Sequence, residues 1–350
     1  SRYIGRQVMA AILLVLLLVV GLDVIAAVID QLGDLGGGYT FSSALIYVML
    51  TVPGRLHEYL PLASLVGGLV AMGSLSSSSE LIVLRACGIS VWRLVWQAAR
   101  PVLLLIFLSL AISEYLSPYS DQWAQSYKDY SRWGSERSLT STGGLWHREG
   151  DTFMHLAVVQ PGGVLYGVTH FVFDANNHLL RATFAERATY QSDSWLMEGV
   201  RETQFGAAQL RSGTSITQRW ETQLSPELLR YLALSPEDMS LSGLQNYSQY
   251  LDRQGLDSGE YRLAFWQKAL HPLAVLGLVV VAMSFVFGPL RESTAGYRVF
   301  VGVVVGITFQ FAQNLLGPSS LIYGHPPLYS VLLPIVFCFA LGFFLLGRAR

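Results

Sequence analysis

Long apolar runs alternate with short polar connections over most of the chain. A helix that crosses a bilayer needs about 20 mostly apolar residues. Six stretches approach that length: residues 8–29, 59–75 with the turn before them, 101–116, 265–287, 300–316 and 328–346. Between the third and fourth stretches the pattern shifts to a period of two. Phe153, His155 and Ala157 alternate with Thr152, Met154 and Leu156, residues 164–174 are rich in β-branched and aromatic side chains, and residues 179–191 alternate again. Asp174-Ala175-Asn176-Asn177 is a hairpin-turn signal, because Asn tolerates positive φ. Residues 195–205 and 208–224 continue the strand pattern, and short strands spaced by turns predict a sandwich or jelly roll. After Ser225-Pro226-Glu227, the apolar residues Leu241, Leu244, Tyr247 and Leu251 fall at helical spacing. The expected fold is therefore an α-helical membrane protein with six transmembrane helices and an all-β, jelly-roll-like domain between helices 3 and 4. The expected division is 1–118, 119–262 (β-domain with a helical return) and 263–350.

Composition agrees with a membrane assignment. Only 13% of the 350 residues are charged, against about 25% in soluble domains. A net charge of −1 gives no basic face for nucleic acid. The two cysteines, Cys87 and Cys338, lie in the hydrophobic parts, outside any CxxC pattern. They read as packing residues and not as a disulfide or metal site, so the β-domain must be held by its core. Residues 8–29 are too long for a signal peptide and run straight on, so they read as a retained span.

Basic residues in the short connections set the expected orientation. With the N-terminus inside, the inner segments carry Arg2 and Arg6, then Arg85, Arg93 and Arg100, then Arg291 and Arg298, then Arg348 and Arg350. The outer short loops carry only Arg55, beside Asp30 and Asp34. Both termini are then cytoplasmic and the β-rich middle lies outside.

The inner loop Ser76 to Ser90 reads as a short capped helix, with serines at its start, Glu80 in the first turn and Gly88 at the C′ position. Leu81, Leu84 and Cys87 form its apolar stripe, which either docks on a partner or lies on the bilayer surface. Residues 89–100 continue as an interfacial element, and Pro101 opens the third span. Asp23, His57, Glu58, Glu114, Lys268, His271, Gln310, Gln313 and Asn314 share the outer level of the spans. They either line a polar cavity mouth or pair between helices. Gly67, Gly68, Ala71, Gly73, Gly302 and Gly306 permit close helix packing, within this chain or against a partner. No HExxH or GxSxG occurs, and neither lysine, Lys128 or Lys268, follows a glycine as a phosphate-cradling Gly-Lys-Ser/Thr loop requires. No catalytic residue, metal or cofactor is expected, and any ATP-driven step must come from another subunit.

Several motifs in order carry a resemblance over essentially the whole chain. They are Arg2-Tyr3-Ile4-Gly5, Asp30-Gln31-Leu32, Ser79-Glu80-Leu81-Ile82-Val83 with Arg85-Ala86-Cys87-Gly88-Ile89, and Glu114 before Pro118. Gly144-Leu145-Trp146, Gly243-Leu244-Gln245-Asn246-Tyr247, Phe287-Gly288-Pro289-Leu290-Arg291 and Tyr323-Gly324-His325-Pro326-Pro327 follow. The chain resembles the LptF/LptG permeases of the lipopolysaccharide-export ABC transporter, and the motifs near the start and in the return favour the LptG branch. The resemblance implies an inner-membrane, multi-pass subunit of a Gram-negative bacterium, without enzymatic activity of its own. The implied partners are an LptF permease, a cytoplasmic ATPase dimer (LptB) and an LptC-like periplasmic jelly-roll protein, and the implied substrate is lipopolysaccharide. Glu80, with Leu81, Leu84, Arg85 and Gly88, would couple to the ATPase. Lipopolysaccharide carries phosphates and acyl chains, so cations at the membrane–periplasm rim are expected; Arg55, Lys128, Arg132 and Arg137 are the candidates. Phe171 and Phe173 are expected to point inward, toward acyl chains in the β-domain. The family often places lysines near the outer end of the first span, whereas residues 24–34 here have none and carry Asp30 and Asp34. The alternatives are a non-transporting membrane adaptor with a periplasmic β-domain and an intramembrane enzyme built from distant Ser and His residues.

Overall fold

The structure is a computed structural model describing residues 2–36, 38–133, 144–160, 162–174, 178–191, 193–206, 209–222, 224–253, 257–288 and 293–348. The expected turn residues 175–177, together with Arg137, Arg291 and Arg350, lie outside the described residues. In chain order, the first helices are α1 (Arg2–Leu32), α2 (Phe41–Glu58), α3 (Leu60–Ser77), α4 (Glu80–Ala86), α5 (Val91–Ala111) and α6 (Ser117–Trp133). Six strands follow: β1 (Leu145–Glu149), β2 (Thr152–Gln160), β3 (Val164–Phe173), β4 (Leu179–Gln191), β5 (Ser194–Phe205) and β6 (Leu210–Trp220). The chain ends in α7 (Pro226–Leu232), α8 (Leu241–Arg253), α9 (Gly259–Phe287), α10 (Ala295–Tyr323) and α11 (Pro327–Arg348). Among the described residues, six helical stretches are long and apolar enough to cross a membrane, and the sheet lies between the third and fourth of them, as expected.

Two details differ from the sequence reading. Pro101 lies inside α5 and does not open a span, so the expected interfacial element and third span are one helix. That helix then runs through a π-helical turn, Ile112–Leu116, into α6, so residues expected at the start of the β-domain are helical. A π turn relieves a local misfit within a helix and re-aims the side chains on it.

The chain forms two compact units. One comprises Ser1–Ile25, Val52–Ser117 and Met239–Arg350; the other comprises Ala26–Thr51 and Pro118–Asp238. The first is a helical bundle around α3 and α9, whose buried residues include Leu65, Leu69, Met72, Val275, Val279 and Met283. The small residues act within the bundle. A Cβ on Gly67 would sit 2.6 Å from the Cα of Ile12, so only glycine lets the backbones of α1 and α3 approach this closely. Arg298, 3% exposed, fills the space beside Gly73 and donates to its carbonyl at 2.6 Å, near the C-terminal end of α3. A cation near the C-terminal end of a helix is favoured by the helix dipole.

The second unit is organised by one antiparallel sheet whose strands pair strictly in chain order. Leu165 and Val168 of β3, Ala185 and Ala188 of β4, and Met197 and Val200 of β5 are all buried in one core. Residues three apart should face opposite sides of a strand. The side switches because Gly167 and Gly199 adopt φ of 62° and 64°, a region open to glycine at little steric penalty. This shared kink rolls the sheet up. Thr222 beyond β6 donates to Glu149 of β1 at 2.5 Å, bringing the ends of the sheet together. Trp195, fully buried, donates its indole N–H to the Leu224 carbonyl at 2.7 Å, and Leu224 and Leu229 close the core.

Gly67→Ala should lower the melting temperature of the purified protein more than Gly306→Ala. The first meets the backbone of Ile12, while the second meets the movable ends of Leu62 and Leu65. Overpacking of this kind costs about 1–3 kcal/mol, and equal effects of the two would show that the α1–α3 approach is not tight.

Candidate functional site

The short helix α4 is shaped by its ends. Ser79 takes φ 63° before it, and Gly88 takes φ 81° after it. Gly88 N–H donates to the Arg85 carbonyl and Ile89 N–H to that of Leu84, the double closure of a Schellman cap. Ser79 makes no side-chain cap; instead Ser78 Oγ donates to Glu80 Oε1 at 3.2 Å and Tyr3 Oη donates to it at 3.4 Å. Leu81 is buried and Leu84 packs against the helical core, so the apolar stripe docks on this chain's own bundle. Cys87 does not share that burial: it is exposed. The exposed surface of this segment is therefore Val83, Arg85, Ala86, Cys87 and Gly88, with Val83 59% exposed and Glu80 half-buried.

A cationic cluster forms within the second unit. Lys128 and Arg132, one turn apart on α6, both donate to Asp34 Oδ2, at 2.9 and 3.1 Å. The Lys128 ammonium lies 5.0 Å from the ring of Tyr47, and the Arg132 guanidinium lies 5.5 Å from that of Tyr39. The hydrogen bond from Lys128, reinforced by the charges of both cations, holds the Asp34 carboxyl below its usual range. Two cations share the Asp34 carboxylate, beside Asp129, a second carboxyl whose pKa burial pushes up to about 6 against the pull of both cations, and the aromatic faces favour the cations further. Asp34 directly follows the end of α1 at Leu32, which puts the cluster beside a membrane span in the chain.

The other candidates are used differently. Arg55 forms an ion pair with Asp23, whose other oxygen accepts from Tyr59 Oη at 2.7 Å. Arg137 lies outside the described residues. Phe171 and Phe173 do not point into the core. Alternation along β3 puts His170 on the core side with Met154 and Leu156, while Phe171 stacks on Trp146 and Phe173 meets Phe153 on the opposite face. Aromatic character suggested inward residues, but the register is decided by the buried Val168 and His170.

Glu114 has a role that its position in a span did not reveal. Projecting from the π turn, it accepts from Leu241 N–H at 2.8 Å, Ser242 N–H at 3.3 Å and Ser242 Oγ at 2.6 Å. It is thus a cap for the N-terminus of α8, supplied by another helix. Lys268 donates to the Met239 carbonyl at 2.5 Å, just before that helix. His57 stacks on His271 at 3.9 Å, with its Nδ1 2.6 Å from Ser109 Oγ. These contacts pair Glu114, His57 and His271 with other helices, and Lys268 with the turn before α8.

Similarity to known proteins covers almost the whole of this architecture. Residues 2–348 match the model of the lipopolysaccharide export system permease LptF/LptG family. This chain belongs to the LptF/LptG permease family. It is 34% identical to the lipopolysaccharide export system permease protein LptG of Escherichia coli K12, over 99% of this chain and 98% of that protein. It is 30% identical to LptG of Haemophilus influenzae, over 100% of this chain and 98% of that protein. For a permease of this family, six apolar helices and an inserted sheet are the architecture of a multi-pass inner-membrane protein.

The rolled sheet of this permease encloses a cleft of about 290 Å³, lined by Met154, His170, Thr183, Met197 and Trp220 among others. His170 is 7% exposed, and burial pushes its pKa down to about 4, opposed by the nearby Glu149 carboxylate. Unfolded histidine has a pKa of about 6.5. Between these values the unfolded chain binds a proton that the folded domain does not, so stability rises with pH from about 4 to 6.5 and is fully present above that window. Amide-exchange protection of β3 should fall across this window on acidification, by up to about 3 kcal/mol. His170→Phe should flatten the dependence, and an unchanged slope in that variant would assign it elsewhere.

Proposed function

We propose that this permease works as one half of an LptF–LptG pair. It extracts lipopolysaccharide from the inner membrane and passes it to a periplasmic bridge of jelly-roll domains headed by an LptC-like protein. The Arg-rich short connections support cytoplasmic termini and a periplasmic sheet. No Gly-Lys-Ser/Thr sequence exists in this chain, which fits ATP hydrolysis by a cytoplasmic LptB dimer docked at Glu80 and Arg85.

The observation that carries this reading is the pair Lys128 and Arg132 on a single carboxylate, next in the chain to a membrane span. Phosphates on a lipid headgroup are recognised by such donors: Arg as a planar fork, Lys as a point charge. Asp34 holds the two cations in place and lowers their net charge, in a stretch where the family often has lysines. The same cluster therefore predicts opposite effects from opposite substitutions.

Replacing Lys128 and Arg132 together by Ala should weaken lipopolysaccharide binding to the reconstituted transporter by roughly 10- to 100-fold, the loss expected from charge-assisted hydrogen bonds. Asp34→Asn should strengthen it, with a steeper dependence on salt. Binding that is indifferent to all three changes would remove the cluster from the lipid path. For the coupling helix, Glu80→Lys should reduce recovery of the ATPase with the permease while leaving the sheet folded. Full recovery and full transport in that variant would rule out Glu80 as a docking contact.

A further inference from the structure

The first half of α5 carries a stripe that the helical bundle leaves uncovered. Trp92, Arg93, Trp96 and Arg100 are all exposed, the two tryptophans by 44% and 54%. Spacings of three, four and seven residues put them on one side of the helix. Leu103, Leu104 and Phe107 continue that side, exposed and wholly apolar. Tryptophan and arginine give way to apolar side chains where a helix passes from the membrane interface into hydrocarbon. Helix α11 bounds the stripe: the ring of Phe343 lies 5.7 Å from that of Trp92 and 5.8 Å from that of Phe339.

The charges on this stripe are uncompensated. Neither the Arg93 nor the Arg100 guanidinium has a hydrogen-bond or ion-pair partner among the described residues. Elsewhere cations are held: Arg55, Lys128 and Arg132 by carboxylates, Arg298 by a carbonyl. Helices α5 and α11 contain no acidic residue. The Arg100 guanidinium lies 5.9 Å from the centre of the Trp96 ring, a contact that favours the cation while its N–H groups stay free for an acceptor. Arg93 and Arg100 stand about 10 Å apart along the helix axis, with Trp96 between them, within reach of one headgroup. A zwitterionic headgroup brings a cation of its own to such a site, whereas an anionic one brings only the opposite charge. A protein carboxylate would suit the same arginines but gains nothing from the apolar continuation at Leu104 and Phe107.

We propose that this stripe binds an anionic phospholipid of the inner leaflet, an assignment that rests on the reading that α5 starts on the cytoplasmic side. Arg93 and Arg100 donate to the phosphate, Trp96 lies beneath the headgroup, and an acyl chain runs along Leu104 and Phe107. Helix α4 ends at Ala86 and α5 begins at Val91, so the lipid steadies the segment that carries the proposed ATPase contacts.

In the test, the full chain is purified in detergent and native mass spectrometry measures its binding of phosphatidylglycerol and phosphatidylcholine with the same acyl chains. Phosphatidylglycerol is expected to bind roughly 25-fold more tightly, about fivefold for each arginine. Arg93→Gln with Arg100→Gln should bring the two lipids to parity. Arg93→Lys with Arg100→Lys, which keeps the charge, should retain most of the preference. Arg85→Gln, which removes an exposed arginine from α4 outside the stripe, should leave the preference intact. Equal binding of both lipids to the unmodified chain overturns the proposal. So does a loss in Arg85→Gln as large as that of a single stripe variant, which would show charge attraction without a site. Loss of lipopolysaccharide in place of phosphatidylglycerol from the double glutamine variant assigns the arginines to the substrate and also overturns it. Sidedness is tested separately at Cys87, exposed just before α5. A membrane-impermeant maleimide should label it in inverted vesicles and not in intact spheroplasts. Labelling in spheroplasts overturns the inner-leaflet assignment and the orientation together, whatever the lipid result.

Discussion

A charged group in an apolar helix bundle must be paired, because an unpaired one is strongly destabilising in a low-dielectric setting. Here the partners are often the backbone ends of other helices. Glu114 caps the N-terminus of α8, where free N–H groups and the helix dipole favour an anion. Arg298 donates to a carbonyl near the C-terminus of α3, where the dipole favours a cation. Lys268 meets the Met239 carbonyl just before α8. Each contact gives a charged group hydrogen-bond partners in place of water and ties it to the end of a helix or the turn before one, so the order of the helices depends on these few polar side chains. The close α1–α3 approach at Gly67 adds the packing that dispersion supplies in a membrane.

The β-rich unit solves a different problem. A six-stranded meander has open edges and one apolar face. The kink at Gly167 and Gly199 brings both halves of that face onto one core around Trp195, and Thr222 ties the last strand to the first. The roll that results is apolar inside with a polar cleft at one place, lined by His170, Arg181, Arg219 and Glu149 among others.

Much of this was legible in the sequence. Six apolar runs, the switch to period two at Thr152 and the helical return through Leu244 and Leu251 reflect local burial patterns, which one strand or helix displays by itself. Features that depend on two distant segments were not legible. The parity switch at Gly167 and Gly199 reversed which residues of β3 face inward, and so moved Phe171 and Phe173 to the outer face. Leu81 and Leu84 looked available for a partner until the bundle beside them was seen. Lys128 and Arg132 could be chosen as cations, and their spacing of one helical turn hinted at a common partner, but nothing local pointed to Asp34. His170 carried no signal at all, because a lone histidine in a strand is ordinary until its burial is known.

Membership of the LptF/LptG family and the clustered cations support one central proposal, that this permease handles lipopolysaccharide in a complex with a second permease and a separate ATPase. Native mass spectrometry of the tagged protein, released gently from its own membrane, tests that claim most directly. The account predicts a complex holding one further permease chain, two ATPase copies and a mass matching lipopolysaccharide. Recovery of the chain alone or with unrelated proteins, and without that lipid even under milder extraction, would contradict it and favour a non-transporting adaptor.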